Sequence, residues 1–150
     1  MNETLTALYI VRHGETAWSL SGQHSGLTDL PLTDRGQNNA RHLRNHLRGR
    51  SFAKVFTSPL QRARRTCELA GFGAQAEVDS NSVEWNYGDY EGLRTEEIRA
   101  KRPGWKLFRD GCPGGESVGE IGATAYRVVD RVRALQEDVL IFRAGTFSAY

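Results

Sequence analysis

Short apolar runs that stop abruptly at polar turns, each followed by a stretch of helical periodicity, constrain this chain more than any other feature. Leu5 to Val11 has the continuity of a buried strand and ends in a polar turn at Arg12 to Gly14. A loop through Ser21, Gly22, Gly26 and Pro31 follows, and from Thr33, an N-cap residue type, Ala40, Leu43 and Leu47 recur at helical spacing until Gly49. Lys54 to Phe56 is a second short strand. Ser58-Pro59 then supplies an N-cap and a first-turn proline for a helix with Leu60, Ala63, Cys67 and Ala70 on one face. Ala76 to Val78 reads as a third strand. It precedes a long irregular stretch rich in aromatics and glycine, Glu84 to Leu93, of the kind that usually carries function. A short helix over Thr95 to Lys101 and a glycine-rich loop from Gly111 to Gly115 come next. Ile121, Ala125, Val128, Val132 and Leu135 then mark a helix of about five turns, and Val139 to Phe142 is a last short strand. Strands alternating with helices specify an α/β fold, in which ligands bind at the carboxyl ends of the strands.

Composition removes several alternatives. The 150 residues, 39% hydrophobic and 25% charged, describe one domain over residues 1–150, with no repeat and no Pro/Gly/Ser linker to divide it. The apolar run at Leu8 to Val11 is far short of the roughly 20 residues of a membrane helix, and no cleavable signal precedes it; a cytoplasmic protein without a membrane partner is expected. Cys67 and Cys112 form neither a disulfide framework nor a C-x-x-C site. The net charge of +2 is too balanced to imply nucleic acid, and the arginines at 41, 44, 48 and 50 lack interleaved aromatics. Of the 20 basic residues only Lys54, Lys101 and Lys106 are lysine, which leaves 17 arginines, whose planar fork suits phosphate and carboxylate. His42 and His46 stand at i and i+4 without an evident third ligand, so no metal is expected. The Gly111 to Gly115 loop lacks the Lys-Ser/Thr of a phosphate-binding loop and reads as a substrate-side loop.

Two strand ends carry chemistry. In Arg12-His13-Gly14-Glu15-Thr16 an imidazole follows a buried strand, with a guanidinium before it and the backbone freedom of glycine after it. Neutral imidazole is a nucleophile, and to attack a phosphate dianion it needs guanidinium groups that hold the oxygens; Arg12 is placed for this. In Ser58-Pro59-x-x-Arg62 a helix begins just past a strand, offering free N–H groups to an anion, and Arg62 adds a second fork one turn later.

With these strings the chain resembles the histidine phosphatase superfamily, which includes the phosphoglycerate mutases and many phosphatases. The resemblance extends through Gly26 to Thr33, Ser58-Pro59-x-x-Arg62-Ala63-x-x-Thr66, Glu84-Trp85-x-Tyr87-Gly88-Asp89-Tyr90-Glu91-Gly92 and Gly114-Gly115-Glu116-Ser117. It implies a phosphoglycerate mutase-like three-layer α/β/α sandwich around a mostly parallel sheet. It also implies hydrolysis of a small phosphorylated substrate through a phosphohistidine, without a metal or organic cofactor. By the same resemblance His13 is the nucleophile, Arg12 and Arg62 are the phosphate clamp, and Glu84 is the proton donor to the leaving alcohol. Ser19, Ser25, Gly26 and Tyr87 line the substrate side, and Glu15 holds the His13 loop. Trp18-Ser19-x-Ser21-Gly22-Gln23 and Arg109-Asp110-Gly111-Cys112 are closest to a sedoheptulose bisphosphatase-like branch, so a sugar phosphate or bisphosphate is the expected substrate. Mutase-type phosphoryl transfer is the weaker alternative.

One departure bears on activity. The family pattern places a second histidine after the last strand, where this chain reads Arg143-Ala144-Gly145-Thr146; all four histidines lie within the first 46 residues. Alanine donates no hydrogen bond, and loss of one comparable donor costs about 10²- to 10³-fold in rate. A phospho-ligand-binding relative with impaired turnover is therefore the alternative expectation, with Arg143 as the neighbouring candidate to compensate. The resemblance also implies further sheet-covering structure beyond Tyr150. A C-terminally shortened sandwich and homo-oligomerisation or low stability are expected on that ground.

Overall fold

A computed structural model describes residues 6–145. Four strands, β1 (Leu8–Arg12), β2 (Lys54–Thr57), β3 (Ala76–Val78) and β4 (Val139–Arg143), form one sheet in the order β1-β4-β2-β3, every neighbour parallel. The last of these strands lies between the first two. Its string Val-Leu-Ile-Phe-Arg is buried at all five positions, as a parallel strand covered on both faces must be.

Alternation along β4 assigns the two faces. Leu140 and Phe142 pack with Val55, Leu47, Cys67 and Ala70, beneath the helices α2 (Asp34–Leu47) and α3 (Gln61–Leu69). Val139 and Ile141 point the other way, with Phe56, onto Val128 and Val132 of α6 (Val118–Leu135). This is the expected sandwich. A third cluster under the irregular segment gathers Trp85, Tyr87, Ile98, Trp105 and Cys112. It draws on α4 (Thr95–Lys101) and on α5 (Leu107–Asp110). Both cysteines are free and buried. No helix among the described residues is long and apolar enough to cross a membrane.

Several element boundaries differ from the sequence reading. The expected start of β1 at Leu5 lies outside the described residues. The stretch read as loop before Gly22 contains a short helix, α1 (Ala17–Ser21), closed by a Thr16–Ser19 capping box and by Gly22 in the left-handed region. Ser58 is not the N-cap of α3; that position falls to Leu60. The Ser58 N–H donates to the Phe142 carbonyl at 2.9 Å, which commits Ser58 to the sheet. The helix α6 begins three residues before Ile121, where Ser117 and Glu120 form a capping box.

Candidate active site

Parallel pairing brings the carboxyl ends of β1, β4 and β2 together, and the ladder continues one residue beyond them. The His13 N–H donates to the Arg143 carbonyl at 3.0 Å. His13 itself is buried, with Nδ1 2.6 Å from the Gly14 carbonyl oxygen. A carbonyl only accepts, so Nδ1 carries the proton and the neutral ring keeps its lone pair on Nε2. Burial pushes the imidazole pKa down to about 4; the Gly14 bond opposes this, and the fields of Arg62 and Arg12 add to it. Near neutral pH the ring is uncharged.

The loop carrying His13 is fixed from two sides. The Gly14 N–H donates to Thr66 Oγ1 at 3.0 Å, and that hydroxyl donates to the Arg62 carbonyl at 2.7 Å, tying the loop to α3. On the other side the loop meets the first turn of α2 so closely that a Cβ on Gly14 would lie 2.6 Å from the Gly36 oxygen. Thr33 caps α2 through the Gly36 N–H at 3.0 Å, and its hydroxyl donates to the Glu15 carboxylate at 2.8 Å. Glu15 thus holds the loop.

Arg62 is fully buried. Its guanidinium donates to the carbonyls of Thr28 (2.8 Å) and Gly26 (2.7 Å) and to Glu84 Oε2 (3.1 Å), while its Nε has no hydrogen-bond partner among the described residues. These carbonyls turn a flexible cation into a fixed one. Burial raises the pKa of Glu84, and Arg62, Arg12 and Arg143 pull it back. A neutral Glu84 still accepts from Arg62 through Oε2 and has a proton to give.

The remaining residues fall into two groups. Ser19 lines a polar depression of about 320 Å³ together with Arg12, His13 and Gly14, its hydroxyl engaged with the Thr16 backbone in the cap of α1. Tyr87 is buried and stacked on His24 at 4.5 Å, beside Glu84. Ser25 and Gly26 instead build the turn under Arg62: the Thr28 N–H donates to the Ser25 carbonyl, and the Gly26 carbonyl accepts from the guanidinium. The Gly114 to Ser117 string braces the acid loop, with Trp85 Nε1 donating to the Glu116 carbonyl (3.0 Å) and the Asn86 N–H to its carboxylate (2.8 Å).

Ala144 is buried directly after β4, its N–H in a long 3.4 Å bond to the Ser82 carbonyl. At the next position a Cβ would lie 2.6 Å from Glu84 Cγ, so Gly145 lets the chain pass the acid. The closeness of Arg143 to Glu84 was not drawn from the sequence. Arg143 donates to the Val83 carbonyl at 3.0 Å, and burial pushes its pKa down to about 10 against the fields of Glu84 and Glu116. The signal available was its place as the last residue of a strand, in register with Arg12. Among the described residues no three His, Cys, Asp or Glu side chains are grouped to hold a metal ion. A neutral imidazole, a fixed guanidinium and a carboxyl group with a raised pKa at one sheet edge are the parts needed to transfer a phosphoryl group.

Comparison with known proteins points the same way. The sequence model described as histidine phosphatase superfamily (branch 1) matches residues 8–149. The sedoheptulose 1,7-bisphosphatase of Saccharomyces cerevisiae is 37% identical over 91% of this chain, which spans 62% of that relative's length. An acid phosphatase of Mycobacterium tuberculosis is 41% identical over 94% of the chain, which spans 71% of it. Among solved structures, an open reading frame product of Mycobacterium tuberculosis superposes with a TM-score of 0.86 at 38% identity, covering 92% of this chain and 73% of that one. A phosphoglycerate mutase of Thermus thermophilus superposes at 0.73 and 34% identity, over 92% and 77% of the two chains.

Proposed function

The chain belongs to the histidine phosphatase superfamily, and from that membership and the disposition of His13, Arg62 and Glu84 we propose that it hydrolyses small phosphate monoesters. The observation that carries this reading is the fixed tautomer of His13: its Nδ1 proton is held by Gly14, which leaves Nε2 free to attack. In the first step Nε2 bonds to phosphorus and the bond from phosphorus to the ester oxygen breaks. The proton of Glu84 goes to that oxygen, since an alkoxide is a poor leaving group. In the second step water attacks the phosphohistidine, giving its proton to the Glu84 carboxylate, and imidazole leaves. Arg12 and Arg62 neutralise charge on the phosphoryl oxygens in both steps. The name of the yeast relative makes phosphorylated sugars the first esters to assay.

Ala144 favours a second reading, a chain that binds phosphate esters with little turnover, because a methyl group provides no donor to the phosphoryl oxygens. The two readings separate in one experiment. Phosphate release from a panel of esters is measured for the chain, for His13→Ala as blank and for Ala144→His. Turnover above the blank supports a working phosphatase, and a rise of about 10²-fold in Ala144→His measures what position 144 withholds. No release by the chain with phosphate still bound supports the second reading.

A further inference from the structure

Next to the acid lies a cavity of about 310 Å³, at the small end of the range for small-molecule sites. One end is polar, formed by Glu84, Tyr87 and Arg143. The rest is lined by Trp85, by Leu107 and Phe108 of α5, and by Val118 and Ile121 of α6. Phe108 packs edge-on against Trp85 at 5.5 Å, and Phe108 and Val118 keep part of their apolar surface in water. A proton donor must reach the ester oxygen, so the group attached to that oxygen extends from Glu84 into whatever space adjoins it. Of the two hollows at this edge, the depression beside His13 does not count Glu84 among its lining residues, whereas this cavity does.

Its walls discriminate. A second phosphate needs a second cationic clamp, and among the described residues the only basic side chain lining the cavity is Arg143, which stands at the polar end beside Glu84. Sugar hydroxyls entering the apolar end would give up water without gaining partners, whereas each buried methylene gains about four-fold in affinity. We infer that the alcohol portion of the substrate is apolar, an aryl or short alkyl group on a single phosphate, and that Phe108 and Ile121 select it over a polyol. This inference rests on the phosphatase reading for the chemistry, and the cavity itself decides the selection.

The test uses two phosphonates of similar size, one phenylalkyl and one polyhydroxylated, whose binding to the chain is measured by calorimetry, alongside phosphate release from the matching esters. At least ten-fold tighter binding of the phenylalkyl phosphonate is expected. Ile121→Gln and, at the more exposed rim, Phe108→Ser each bring the ratio of the two affinities towards one. Equal binding of the two phosphonates, or a preference that both variants leave intact, overturns the inference. Preferential binding without release from either ester supports the inference and overturns the phosphatase reading alone. Release with equal binding does the reverse, and binding of neither phosphonate together with release from neither ester overturns both.

Discussion

Glu84 is poised between two demands at the scale of single residues. Burial favours its protonated form, and three guanidinium groups favour the carboxylate. If Glu84 delivers the proton, the need for it scales with the basicity of the leaving alcohol. Glu84→Gln keeps the bond to Arg62 but has no proton to transfer. It is expected to lower kcat about 10²- to 10⁴-fold on alkyl phosphates and far less on nitrophenyl phosphate, whose anion leaves unaided. The basic limb of the pH profile should vanish in the same variant, as steady-state kinetics will report. His13 makes a separate prediction for stability. Its imidazole pKa is held down to about 4 in the folded chain, from an ordinary 6.5. Between those values the unfolded chain binds a proton that the folded chain refuses, so acidification through this window removes stability. Glu84, whose pKa is raised, works in the opposite direction and is present in both proteins compared. Urea unfolding should therefore show about 2 kcal/mol more loss from pH 7 to pH 5 in the wild type than in His13→Asn. Equal losses would mean that His13 is solvated in solution.

Among elements, the site depends on how the loop after β1 seats on α2 and α3. A Cβ on Gly36 would lie 2.3 Å from the Glu15 carbonyl oxygen, a backbone atom with little room to retreat. Gly36→Ala gains up to about 1 kcal/mol of helix propensity and meets an overpacking cost of about 1–3 kcal/mol. A net loss on the order of 1 kcal/mol is expected in the urea midpoint, together with lower kcat, because Glu15 and His13 shift with the displaced loop. Gly119→Ala on α6, where the new Cβ would meet only Ser117 Oγ at 3.9 Å, should instead gain about 0.5 kcal/mol. The contrast identifies what was legible in the sequence. The positions of the strands and long helices were, because apolar periodicity and capping chemistry are local signals, and Thr95–Lys101 falls where expected. The burial read for the first strand was not, since β1 is an edge of the sheet with no buried position and Ile10 is 47% exposed. Arg12, His13, Arg62 and Glu84 are grouped as candidates by spacing and resemblance, and the structure sets Arg62 against Glu84 and His13 within the field of both arginines. What the sequence did not disclose depends on tertiary partners. The Ser58 N–H pairs with the Phe142 carbonyl of β4 and its Oγ accepts from the Leu60 N–H, and α3 starts later, with Leu60 at its N-cap. The α5 turn is anchored by Asp110, which accepts from the Lys106 N–H, and by Trp105, whose indole donates to Gly111. No periodicity announces either contact.

Across the whole molecule, the parallel sheet delivers every strand's carboxyl end to one edge, and this chain loads that edge with cations. Arg12, Arg62 and Arg143 converge there with Glu84, and Glu116 adds its field at Arg143. Arg62 and Arg143 are both buried, and Arg12 forms no ion pair among the described residues. Holding like charges together in a partly desolvated site works against folding, and a dianion relieves that repulsion only in the folded state. Phosphate is therefore expected to stabilise the fold well beyond its effect as a salt. At a hundred times its dissociation constant, mass action supplies about 2.7 kcal/mol. For a chain of this size that raises the melting temperature by about 5–10 °C. Differential scanning fluorimetry in phosphate against chloride at equal ionic strength measures it. Arg62→Met, which removes the buried fork, should lose most of the shift. The more exposed Arg12→Gln, which leaves the carbonyl cradle of Arg62 untouched, should lose a smaller part. An equal shift in chloride would mean that the edge is screened by any salt and that the convergence of the three arginines recognises no particular anion.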